Sequence, residues 1–139
     1  MRMYIASGWW TDDQKKVLEE IEETANSVGM TFYSPRLENL WKPGDDHKQV
    51  VEENLVAIEA SSFVLASTMG KDMGTLFECG YAFARGVPVV YYYKGKGPFN
   101  IMLAGTADSI LTDHVMLTTY LARATRGVAD NHDWVGEME

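Results

Sequence analysis

Glu78 stands between Phe77 and Cys79 in the apolar stretch KDMGTLFECGYAFARG, Lys71 to Gly86. A carboxylate fixed in such surroundings can attack an anomeric carbon as a nucleophile. The same placement also fits a plainer use. Thr75-Leu76-Phe77-Glu78 matches a capping box, with Thr75 as cap and Glu78 at the third helical position. Either way the residue falls in the first turn of a helix, whose free amides favour an anion, so Glu78 is expected to be ionised. Asp72 precedes it in the loop and can bind a sugar hydroxyl or a base edge, or cap a turn. Gly70 and Gly74 allow close approach of backbone to a ligand, or serve as turn residues.

Other chemistry-bearing residues lie elsewhere in the chain. Tyr4 sits in the run MYIAS; its hydroxyl needs a partner if buried, and a carboxylate would serve. Trp9 and Trp10 follow directly after Gly8. Adjacent exposed tryptophans must pack on something: a planar base, the domain's own loops or a second subunit. Asn100 follows KGKGPF and can cap a helical turn or bind a hydroxyl. GKG lacks the GxxxxGK[ST] pattern of a phosphate loop, and no GxGxxG follows the first strand. His47, His114 and His132 share no ligand spacing, and with one cysteine there is no metal signature.

The elements that must position these residues can be read from apolar periodicity. Met3 to Ser7 forms a strand. TDDQ, with Thr11 and Gln14, is a capping box that opens a helix from Asp12 to Val28, closed by Gly29. Met30 to Tyr33 is a second strand, and SPRLENLWKPGDD a long loop. A helix follows from Asp46 to Ala60, then a strand from Ser62 to Ser67, the loop TMGKDMG and the Glu78 helix, ending near Gly86. VPVVYYY is a fourth strand, KGKGPFN a loop, Ile101 to Leu103 a helical turn, and Ser109 to Leu111 a short fifth strand. The last helix spans Asp113 to Ala124. The tail VADNHDWVGEME is irregular, with Trp134 as its large anchor. Apolar strands alternating with helices predict a parallel sheet covered on both faces. Ligands of such sheets bind beyond the carboxyl ends of the strands, where Ser7 to Trp10, Thr68 to Asp72 and Lys94 to Gly97 gather.

Composition limits the partners. The 139 residues suit one domain, 1–139, and 46% hydrophobic content suffices for a core without staples. The net charge is −8, from 12 basic and 20 acidic residues. With no basic stripe, nucleic acid and anionic membrane surfaces are not expected as partners. The N-terminus does not read as a signal peptide, and no apolar run approaches the ~20 residues of a spanning helix, so a cytoplasmic location is expected. Cys79 reads as a buried, inert thiol.

Three ordered stretches resemble the nucleoside 2-deoxyribosyltransferases: YIASGWWTDDQ from Tyr4 to Gln14, DMGTLFECGYAFARG from Asp72, and PFNIM from Pro98 to Met102. The resemblance implies a flavodoxin-like, doubly wound α/β domain with a five-stranded parallel sheet. It implies Glu78 as nucleophile, Tyr4 as the residue that holds and tunes it, and Asp72 as a substrate contact. Trp9 and Trp10 become the wall around the base, with Gly8 beside them. Asn100 and Met102 become contributors to a neighbouring subunit's site in a dimer-based homo-oligomer, up to a hexamer. Ser62 stands where the family often has a second aspartate, with Asn54 as another polar group for the base. The implied reaction moves 2-deoxyribose between nucleobases on free 2′-deoxynucleosides, through a glycosyl-glutamate and with retention, using no cofactor. SGWWTDD lacks the arginine of related phosphate-holding loops, so a free nucleoside is expected. The alternatives are an N-glycoside hydrolase and a non-catalytic nucleoside sensor.

Overall fold

The computed structural model describes residues 1–139. Five strands, β1 (Arg2–Ser7), β2 (Thr31–Tyr33), β3 (Phe63–Ser67), β4 (Val89–Tyr92) and β5 (Ser109–Leu111), form one sheet in the order β2-β1-β3-β4-β5. Every pairing is parallel. Six helices connect and flank them: α1 (Asp12–Val28), α2 (Pro35–Glu38), α3 (His47–Glu59), α4 (Met73–Ala84), α5 (Ile101–Thr106) and α6 (His114–Ala124). A single 3-10 turn, Met69–Lys71, leads into α4.

Side chains along a strand point alternately to opposite faces, and the two cores follow that rule. Met3, Ile5, Leu65, Val90, Tyr92 and Leu111 face α1 and α6. Tyr4, Ala6, Val64, Ala66, Val89, Tyr91 and Ile110 face Ile58 of α3, Cys79 and Ala82 of α4 and Phe99. Ala6 and Ala66 are register partners on β1 and β3. Their small side chains, opposite Cys79 and Ala82, allow α4 to lie close to the sheet. Glu20 of α1 accepts a bond from the Tyr92 hydroxyl at 2.9 Å and pairs with Lys94 at 3.1 Å and His114 at 3.1 Å. Burial opposes its charge, and these partners outweigh burial and lower its carboxyl.

The structure bears out the doubly wound parallel sheet. It redraws several local features. Pro35–Glu38 of the expected long loop is helical, with Arg36 paired to Glu22 of α1. Proline tolerates a first helical turn because it has no amide to leave unsatisfied. The tail is more than Trp134: Phe99 bridges Met138, and the Ile110 amide donates to the His132 carbonyl at 2.8 Å. It thereby covers part of the outer edge of β5.

The most consequential change concerns α4. Thr75 is not its cap. The helix starts at Met73 and Asp72 is the N-cap, accepting from the Thr75 amide at 2.9 Å and from the Thr75 hydroxyl at 2.9 Å. Both residue types favour caps, but only Asp72 has the extended backbone a cap needs. Glu78 therefore lies beyond the first turn and closes no capping box.

From β1 the chain passes to β2 on one side and then crosses to β3 on the other. The crevice between the carboxyl ends of β1 and β3 is thus the topological switch point, the general place for a ligand. Leu65, fully buried in the middle of β3, packs in the core on the α1 and α6 side of the sheet. Leu65→Ala should lower the unfolding free energy by about 3 kcal/mol, read as a lower urea midpoint at unchanged slope.

Candidate functional site

A cleft of about 550 Å³ opens at this switch point. Its polar groups come from three elements: Ser7 at the end of β1, Asn54 on α3, and Asp72 and Glu78 around the start of α4. Trp9 and Trp10 form one wall, with ring centroids 5.2 Å apart and planes at 33°. Trp9 packs partly on the core, whereas Trp10 is 71% exposed.

Glu78 Oε2 accepts a hydrogen bond from the Tyr4 hydroxyl, while Oε1 has no protein partner. Tyr4 is fully buried, and its ring stacks on Tyr33 with centroids 5.6 Å apart at 14°. The Tyr33 hydroxyl donates to Asn54 Oδ1 at 3.2 Å, and Asn39 Nδ2 donates to the same oxygen at 3.1 Å. With its oxygen occupied twice, Asn54 retains its amide protons for other partners.

Burial is the main influence on Glu78. The residue is only half-buried because it opens into the cleft, yet it is crowded on its other sides. Desolvation pushes its carboxyl up to about 7; the Tyr4 bond pulls it down, and the nearby Asp72 charge pushes it up. The expectation of a carboxylate held ionised by its helix is therefore corrected. The first-turn amides are spent around Asp72 and Thr75, and Glu78 faces desolvation with one hydroxyl as partner. Tyr4 is raised well above the ordinary phenol range by burial and by the Glu78 charge, so the shared proton belongs to the tyrosine. Cys79 is buried and its thiol pushed up to about 12 by desolvation, which makes it unreactive.

The other residues singled out from the sequence do not all meet here. Gly8 adjoins the cleft, but a Cβ on it would lie 2.8 Å from the Gln14 amide, so its smallness serves packing. Ser62 precedes β3 at the amino end of the sheet, where its amide donates to the Arg2 carbonyl at 2.8 Å and it lines a hollow with Phe63 and Asp108. Its assignment to the base is thus corrected: the length of β3 separates it from Glu78. Asn100 caps α5, accepting from the Met102 amide at 2.9 Å. It lines a separate hollow of about 300 Å³ with Thr68, Lys71 and Tyr93, and Met102 is 70% exposed.

Sequence reasoning missed the apolar lining: Pro35, Val51, Leu55 and Phe77. A signal for part of it was present, since Val51, Asn54 and Leu55 are spaced to share one face of α3. A larger groove of about 730 Å³ runs along α1 on the other side of the sheet, lined mostly by charged residues such as Glu19, Glu20 and Lys94. It holds neither Glu78 nor an aromatic wall, and the smaller cleft is the chemically equipped one. No three histidine, cysteine, aspartate or glutamate side chains gather as a metal site. No helix is long and apolar enough to cross a membrane.

The family model for nucleoside 2-deoxyribosyltransferase matches residues 3–131. Among solved structures, the chain is similar to a 2-deoxyribosyltransferase of Bacillus psychrosaccharolyticus, with TM-score 0.84 and 20% identity over 97% of this chain and 100% of that one. It is similar to a CMP N-glycosidase of Clostridium botulinum, with TM-score 0.63 and 17% identity over 92% of this chain and 100% of that one. A conserved protein of Enterococcus faecalis V583 gives TM-score 0.64 and 17% identity over 99% and 91% of the two chains. No curated protein sequence matches the chain. At these identities the structural matches speak to the fold.

The raised Glu78 carboxyl makes stability depend on pH. Its ordinary value is 4.5 and its folded value about 7. Between the two, the folded chain holds a proton that the unfolded chain has lost. Stability contributed by that proton is complete below 4.5 and is lost as pH rises through about 7. Glu78→Gln should therefore gain on the wild type as pH rises, by about 2–3 kcal/mol across the window. Urea midpoints of both proteins at about pH 5 and about pH 8 check this, and identical pH slopes would contradict it.

Proposed function

The chain belongs to the nucleoside 2-deoxyribosyltransferase family, and from that premise we propose that it transfers 2-deoxyribose between nucleobases on free 2′-deoxynucleosides by double displacement at Glu78. The observation that carries this reading is the Tyr4–Glu78 bond at the floor of an aromatic-walled cleft. Tyr4 takes one carboxylate oxygen and leaves the other for chemistry.

In this mechanism Glu78 Oε1 bonds to C1′ as the C1′–N bond breaks. The bonding pair departs with the base, which takes up a proton. A second base then attacks C1′ from the vacated side, loses its own proton and returns Glu78 as a carboxylate, so configuration is retained. Asp72 has Oδ2 occupied by Thr75 and Oδ1 unbonded. It serves as a sugar contact and as a second negative charge beside the oxocarbenium-like transition state. Trp9 and Trp10 stack against the base, and Asn54 offers it amide protons.

A free nucleoside fits better than a nucleotide, because Asp12 and Asp13 follow the tryptophans and no arginine is near them in sequence. Hydrolysis is the second reading, supported by the structural likeness to a CMP N-glycosidase. An oligomer belongs to the same proposal. Met73, Phe77, Ile101 and Met102 are all more than half exposed, an apolar surface suited to a second copy.

Incubation with one deoxynucleoside and a different free base should yield a new nucleoside; free deoxyribose alone would favour the hydrolase. Glu78→Ala should reduce exchange by at least about 10³-fold with the fold retained. Exchange should rise with pH on a limb centred at about 7, where Glu78 ionises. Because the Tyr4 bond lowers the Glu78 carboxyl, Tyr4→Phe should move that limb to higher pH; a limb moved lower would contradict the role given to Tyr4.

A further inference from the structure

Gln14 satisfies the helix in which it sits, and then does more. Its Oε1 accepts from the Trp10 amide at 2.9 Å and the Thr11 amide at 3.2 Å, and its backbone N–H donates to Thr11 Oγ1 at 3.2 Å. That is a complete capping box. Such a box leaves the Nε2 protons for solvent. Here Nε2 instead donates to the Met69 carbonyl at 3.0 Å, in the loop that carries Asp72. Gln14 is 4% exposed.

Two glycines make room for this amide. A Cβ on Gly8 would lie 2.8 Å from Gln14 Nε2, and one on Gly70 would lie 2.7 Å from the same atom. Gly70 also has φ +71°, a left-handed backbone that favours glycine on its own account. The side chain thus threads between the loop after β1 and the loop after β3. No other hydrogen bond joins the two loops. One carries the tryptophan wall; the other runs into Asp72, the cap of α4, with Glu78 further along that helix.

We propose that Gln14 is a positioning residue that latches the tryptophan loop to the acidic loop and so fixes the base wall relative to Asp72 and Glu78. The role rests on the transferase reading for its catalytic consequence. Geometrically it is a single side-chain amide whose oxygen holds the tryptophan loop and whose nitrogen holds the loop that leads to Asp72.

Gln14→Glu separates the two halves of this role. A glutamate keeps both acceptor bonds at the helix start, where its charge is favoured. When ionised it has no proton for Met69 and repels that carbonyl; when protonated it can donate again. Relative to wild type at each pH, kcat/KM for exchange between thymidine and free adenine should fall about tenfold near pH 8, and the deficit should shrink only at the acid end of the profile, as the glutamate takes up a proton. Taking the ratio removes the part of the profile common to both proteins. Thr11→Ala, which weakens the cap and leaves the latch, should lower Tm and leave kcat/KM per folded molecule within about twofold. A flat Gln14→Glu ratio near one would overturn the proposal. Should that variant fail to fold, Gln14→Ala serves: its kcat/KM per folded molecule must fall well below that of Thr11→Ala, and parity overturns the latch. If the wild type exchanges no bases, the transferase reading fails on its own. Thymidine binding, read by tryptophan quenching, then carries the same comparison, with the same pH-dependent loss expected in Gln14→Glu and its absence overturning the latch.

Discussion

One partly buried hydrogen bond, from the Tyr4 hydroxyl to the Glu78 carboxylate, joins the interior strand β1 to the helix packed on it. Either group alone would be costly at this depth. The tyrosine would hold an unsatisfied hydroxyl, and the glutamate a charge with little solvent. Together they satisfy each other, but incompletely for the acid, whose carboxyl still rises to about 7. That residual discomfort suits the nucleophile proposed above: a fully stabilised carboxylate would be a poor nucleophile, and a fully desolvated one would stay protonated. The close packing of α4 over Ala6 and Ala66 is what makes the contact possible.

Much of this was legible in the sequence because it is governed by local rules. The box at Thr11 and Gln14, the left-handed stop at Gly29 and the apolar strands each follow from a few adjacent residues. The start of α4 was less legible because Asp72 and Thr75 are both good caps; the choice between them depends on backbone angles set by the preceding left-handed turn at Gly70 and Lys71. That small shift altered the electrostatics of Glu78, since a helix-end effect fades within one turn. Ser62 illustrates another limit. A position named by likeness to other chains need not share their geometry, and here it belongs to the far end of the sheet.

The site also divides labour between stiff and soft parts. Tyr4 is buried in a central strand, its ring pinned by Tyr33, which is pinned in turn through Asn54 and Asn39. The tryptophans sit on a loop, and Trp10 has most of its surface in water. In the proposed reading, rigid placement falls on the reacting carboxylate, and the flat, more exposed stacking surface falls to the base. The proposed exchange of one base for another would use that combination.

The strict alternation of β1 couples two properties that are separable in many proteins. Tyr4 and Ala6 face α4, whereas Met3 and Ile5 face α1 and α6. Deleting or inserting a single residue in this strand would turn Tyr4 toward the wrong helices and bring an aliphatic side chain against Glu78. The core would be mismatched and the carboxylate orphaned by the same event. β1 therefore tolerates substitution far better than any change in its length.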